Sequence, residues 1–80
     1  MAVKTKNKIK QFAVEFEHEN DGRWIAEIPK LPGVLAYGRT RAEAKQKVYV
    51  VALRTLADAI EQGNAPVSVA QLFNYGMARQ

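Results

Sequence analysis

The stretch TRAEAKQKVYVVALRTLADAIEQG, residues 40–63, limits what the rest of the chain can fold into. It alone has a start signal, an apolar stripe at helical spacing and a stop signal. Thr40 followed by Glu43 has the form of a capping box. In that arrangement the threonine oxygen accepts the Glu43 N–H, and the glutamate carboxylate accepts the N–H of Thr40. Gly63 stands where a helix end needs a residue that tolerates the left-handed conformation, and Pro66 blocks resumption. Between them Ala44, Val48, Val51, Ala52, Thr55, Leu56, Ala59 and Ile60 recur at three- and four-residue intervals and predict one broad apolar face. A helix of about 22 residues is roughly 33 Å long. Its apolar face needs a partner surface, which the remaining residues must supply.

That surface is legible upstream. From about Ile9 the chain reads as a strand: Phe12, Val14 and Phe16 alternate with Glu15, Glu17 and Glu19, so one side is apolar and the other polar. Asn20-Asp21-Gly22 is a turn, and Trp24 to Ile28 places Trp24, Ala26 and Ile28 on one side. A two-residue Asp-Gly turn sets Phe16 opposite Glu27 and mixes the faces. A three-residue loop with Gly22 left-handed sets His18 opposite Trp24, Phe16 opposite Ala26 and Val14 opposite Ile28. Directly opposed residues share a face, so the three-residue loop is the expected one. Pro29 ends that strand because it has no N–H for the ladder. Leu31-Pro32-Gly33 forms a second tight connection, and Val34 to Tyr37 is a third strand. Gly38 and Arg39 lead into the capping box.

After the helix, Val67-Ser68-Val69 reads as a short fourth strand. The predicted architecture is α+β: a two-layer β-β-β-α-β unit, an antiparallel three-stranded meander with one long helix across one face and a short last strand. At 80 residues this is a single domain, with residues 1–8 expected as a flexible basic arm and 76–80 as a flexible tail. A chain this short buries only about 60–65% of its unfolded surface. One helix also covers such a sheet incompletely, leaving Ile25, Tyr49 and Leu53 directed away from the core. Both points predict a homodimer or higher homo-oligomer.

No apolar run approaches the ~20 residues needed to span a membrane, and no apolar stretch follows the N-terminal lysines as in a secretory signal. The chain has no cysteine, hence no disulfide, thiol nucleophile or thiolate metal site. A cytoplasmic protein is expected. The net charge of +4 equals the contribution of Lys4, Lys6, Lys8 and Lys10, which predicts a weak contact with nucleic acid or an acidic partner.

No catalytic or cofactor constellation emerges. Metal-assisted phosphodiester cleavage needs several converging carboxylates. Glu15, Glu17 and Glu27 share one sheet side but alternate as solvent-facing residues do, and Glu43 is accounted for by the capping box. His18 is the single histidine, with no second ligand for a metal, and is expected to pack on Trp24. Gly22, Gly33 and Gly38 punctuate turns and form no phosphate-cradling loop. Ser68 lacks a nucleophile-elbow motif. The partner-binding candidates are Trp24 and Tyr37, large aromatics of the kind that dominate interfaces, together with Arg39, Arg41 and Lys45 around the helix start.

Read together, these residues resemble a known family. The aromatic first strand is followed by Asp21-Gly22-Arg23-Trp24, then Glu27-Ile28-Pro29-Lys30-Leu31-Pro32-Gly33-Val34, then Gly38, Thr40, Glu43 and Ala44. Leu56 to Gly63 continues the likeness. The pattern, over residues 12–66, resembles the HicB-like antitoxins. That resemblance implies a reduced RNase H-like unit that binds a small HicA-type toxin, an mRNA endoribonuclease, and blocks it without catalysis. Many members of the family add a C-terminal DNA-binding domain. About 15 residues follow the helix here, so a short form without that domain is expected. The basic chain is at odds with covering a basic RNA-binding toxin. A stand-alone nucleic-acid-binding or regulatory protein, using the lysine arm and the Arg39–Lys47 cluster, is the alternative. A degenerate nuclease is the third reading.

Overall fold

The computed structural model describes residues 12–73. The expected arm at 1–8, the strand start near Ile9 and the tail at 76–80 lie outside the described residues. Three strands, β1 (Glu15–His18), β2 (Trp24–Glu27) and β3 (Leu35–Gly38), precede a 21-residue helix α1 (Arg41–Glu61) and a single turn α2 (Val67–Ala70). The strands form one antiparallel sheet in the order β1-β2-β3. The fold is α+β.

The first hairpin has the predicted register, with Phe16 opposite Ala26 and His18 opposite Trp24. Its loop is closed by the Glu19 N–H donating to the Arg23 carbonyl at 2.7 Å, and by the Gly22 N–H donating to the Glu19 carbonyl at 3.0 Å. Gly22 has φ 93°, the left-handed region that the loop requires. Asp21 supplies the remaining acceptor, taking the Arg23 backbone N–H at 3.0 Å and its Nε at 2.9 Å.

The second connection is more than a turn. The Ile28 N–H donates to the Val34 carbonyl at 3.1 Å, and between them Leu31 folds inward until only 5% of its surface remains exposed. Leu31 and Val34 join Ala26, Ile28 and Ala36 in the core, beneath Ala44, Val48, Ala52 and Leu56 of the helix. Phe12, Val14, Phe16 and Trp24 pack against this core half-buried, on the predicted side. The helix lies over β3 and β2, leaving β1 the least covered strand.

Small residues let helix and sheet approach closely. Gly38, a buried residue of β3 and not a turn, lies so near the helix that a Cβ there would overlap the backbone nitrogen of Ala44. Thr40 is the N-cap, its Oγ1 accepting the Glu43 N–H at 3.0 Å. The other half of the capping box differs from expectation. Glu43 Oε1 accepts the N–H of Arg39, not of Thr40, because the tight approach at Gly38 carries the preceding peptide under the first turn. At the far end the Asn64 N–H donates to the Ala59 carbonyl at 2.8 Å and the Gly63 N–H to the Ile60 carbonyl at 3.1 Å, with Gly63 at φ 78°. This is the paired C-terminal closure expected of glycine.

Two further expectations fail. Thr55 and Ile60, assigned to the buried stripe, are exposed, because the four-residue strands are much shorter than the 21-residue helix and the helix covers β1 least. Val67–Val69 is not a strand. After Pro66 the chain makes successive i→i−3 bonds, beginning with the Val69 N–H to the Pro66 carbonyl at 3.0 Å. Three residues of valine-serine-valine alternation cannot separate a strand from a turn that inserts one valine, and Val69 alone is buried. The sheet therefore ends at β3 on one side and β1 on the other, with no fourth strand among the described residues.

Candidate functional site: the open face of the sheet

The pleat sends alternate residues away from the helix. On this open face Glu15, Glu27 and Leu35 form one cross-strand row, and Glu17, Ile25 and Tyr37 the next. Leu35 and Tyr37 are large apolar side chains left exposed. Arg23, two residues before Ile25, caps the second row, its guanidinium 4.4 Å from the Tyr37 ring centroid. A shallow open groove of about 440 Å³ continues over the edge, lined by Arg23, Tyr37, Gly38, Arg39, Glu43 and Lys47. The face thus has an apolar centre (Ile25, Leu35, Tyr37), a carboxylate side (Glu15, Glu17, Glu27) and a cationic rim (Arg23, Arg39, Lys47).

The predicted site residues do not form one site. Tyr37 and Arg39 share the groove. Trp24 belongs to the helix side, half-buried, its ring stacked on exposed His18 at 4.4 Å with an interplanar angle of 9°. Arg41 is also on the helix side, with its guanidinium 4.0 Å from the Phe16 ring centroid, where it shields β1. Lys45 is exposed on the helix and lines none of this groove. Arg23, which is not among the residues expected from the sequence, also lines the groove. Its signal is parity: it sits at an odd position before Ile25, so it shares the face of Ile25 and Tyr37.

Electrostatically the rim is partly self-neutralised. The Arg39 backbone N–H, and then the Lys47 ammonium 3.8 Å away, hold the Glu43 carboxyl below its ordinary value. Asp21 is lowered likewise, chiefly by the Arg23 backbone N–H. Of the carboxylates considered for phosphodiester chemistry, Glu15 and Glu27 are cross-strand neighbours with Glu17 on the adjoining row, and Glu43 stands apart from them. Glu43 is engaged with Arg39 and Lys47 at the helix start. Among the described residues no group of three or more His, Cys, Asp and Glu is placed to hold a metal ion. Nor is any helix among them long and apolar enough to cross a membrane.

Charge is unevenly distributed along the chain. All eight acidic residues lie within 12–73, together with seven of the twelve basic ones; Lys4, Lys6, Lys8, Lys10 and Arg79 lie outside. The described part therefore has net charge −1, against +4 for the chain.

None of the protein-family models, curated proteins or solved structures compared with the chain matches it.

Proposed function

We propose that this protein is a non-enzymatic binding protein of HicB-like, reduced RNase H-like type, which inhibits a small ribonuclease toxin by covering it. The observation that carries the reading is the open sheet face. Its exposed apolar centre between charged margins has the anatomy of a protein interface, an apolar core within a polar rim. The carboxylate side supports a basic partner, such as an RNA-binding protein, which a field of opposite sign both attracts and orients. The basic chain is no obstacle to this, since its positive excess lies outside residues 12–73. Inhibition is steric: no bond is made or broken, and Ile25, Leu35 and Tyr37 occupy the partner's surface while Glu15, Glu17 and Glu27 pair with its cations.

The test is co-expression with the product of the adjacent reading frame, scored for growth rescue and co-purification. Rescue by the wild type, and its loss in a folded Glu15→Lys, Glu17→Lys, Glu27→Lys triple variant, is the expected result. Equal rescue by the triple variant removes this face from the interface; an adjacent product that is harmless by itself removes the antitoxin role.

The groove favours a second reading. An exposed tyrosine ring among arginine and lysine side chains is the chemistry of single-stranded nucleic-acid binding, where bases stack and cations meet phosphate. Retention of single-stranded RNA, steeply weakened by salt and lost in Tyr37→Ala, would support it. Binding unaffected by Tyr37→Ala would count against it.

A further inference from the structure

The helix carries a second surface that neither the core nor the open sheet face uses. At about 100° per residue, Ala42, Gln46, Tyr49, Leu53, Ala57 and Ile60 align in one strip along the outside of α1, with Val50 at its margin. All seven are exposed, Leu53 at 65% and Tyr49 and Ile60 each at 49%. None is charged, whereas Glu43, Lys47, Arg54, Asp58 and Glu61 gather in a separate sector beside the strip. The intervals of four, three, four, four and three residues are those of a helix-packing seam, close to the 3.5-residue repeat of paired helices.

The strip is complementary to its own reverse. Run antiparallel to a copy with its centre between Val50 and Leu53, it places Ala42 opposite Ile60, Gln46 opposite Ala57 and Tyr49 opposite Leu53. At each level a smaller side chain meets a larger one, as interdigitating helices require. No charge is buried, and the helix dipoles oppose one another. A two-fold contact must be self-complementary in this way, whereas an unrelated partner imposes no such relation between the two ends of one strip.

We infer that α1 is the dimer interface of this protein, and that a second copy packs antiparallel on the Ala42–Ile60 strip. The dimer is a four-layer assembly, sheet–helix–helix–sheet. The strip measures only about 27 Å by 10 Å, less than the ~800 Å² per partner of a standard interface, so the dimer dissociates on dilution. The inference is independent of the proposed function, because it uses the opposite side of the molecule.

Sedimentation of the full chain over a wide concentration range, up to millimolar, tests it. The expected result is a two-fold rise in mass with concentration, abolished by Leu53→Asp with helical circular dichroism retained, and unchanged in Glu17→Lys. The chain has no cysteine, so introduced thiols report geometry directly. An Ala42→Cys protein mixed with an Ile60→Cys protein should form a mixed disulfide on oxidation, with little self-linking of either. A chain monomeric throughout, whatever else then covers the strip, overturns the inference. So does a dimer indifferent to Leu53→Asp, or one in which Ala42→Cys links to itself.

Discussion

Gly38 and Ala44 bring strand and helix backbones into contact: the space a Cβ would need at Gly38 is already occupied by the Ala44 amide and the adjoining Glu43 carbonyl carbon. Gly38→Ala therefore has to push the first turn of α1 off the sheet, although the backbone dihedral at Gly38 is open to any residue. Overpacking of this kind costs about 1–3 kcal/mol, or a fall in Tm of about 4–8 °C per kcal/mol for a domain of this size. Thermal unfolding checks it; an unchanged Tm would mean that the helix can lift without loss.

Two leucines four residues apart make opposite predictions. Leu31 lies in a loop yet is 5% exposed, and Leu35 lies in a strand yet is 39% exposed. Leu31→Ala is expected to cost about 2–5 kcal/mol, as for other buried leucines. Leu35→Ala is expected to stay within about 0.5 kcal/mol, but to weaken binding to a partner on the open face. Urea unfolding of the pair would refute the assignment if the order were reversed.

Both perturbed carboxyls are lowered, and the sign of their pH dependence follows. Ordinary values are 3.8 for Asp21 and 4.5 for Glu43. Their contribution is complete above those values, where the unfolded chain is also ionised, and is lost as pH falls through the depressed folded values. Stability should thus decline from about pH 5 towards pH 2. Glu43→Gln keeps an acceptor for the Arg39 N–H but removes the titration, so its decline should be shallower. Parallel curves for the two proteins would show that Glu43 contributes nothing at acid pH.

Arg41, predicted as a partner contact, covers Phe16. Arg41→Ala is expected to cost about 0.5–1 kcal/mol, the range of exposed cation–π contacts, with partner binding unaltered. Tyr37→Ala should do the reverse, weakening binding with little effect on stability. Measuring both quantities on both variants separates the roles; a binding defect in Arg41→Ala alone would return it to the interface.

What the sequence reveals depends on how far each signal reaches. The hairpin register follows from parity alone, because a slip at Phe16 opposite Ala26 would turn every apolar side chain outward. The helix ends are equally legible in Thr40 and Gly63, since cap chemistry is local. Leu31 was not legible, because nothing local distinguishes a loop leucine that turns inward from one that faces water. Gly38 reads as a turn residue in the sequence, because its role depends on a helix that passes over it in space. Residue type marks Trp24 and Arg41 as site candidates, yet they serve the helix side while Arg23 and Tyr37 meet on the open one. Only the pleat, combined with the three-strand order, sorts them.

The position of α1 over β3 and β2 also grades the molecule by ease of opening. Strand β1 has the thinnest cover, so its amides are expected to exchange with deuterium through small fluctuations that leave the rest intact. The amides of β2, the one described strand with a neighbour on each side, and of the helix midsection around Val48 should exchange only when the whole unit unfolds. Glu15 and Glu17 thus ride on the most yielding strand, giving the acidic side of the sheet room to adjust against a partner while the Ile25–Tyr37 side stays rigid.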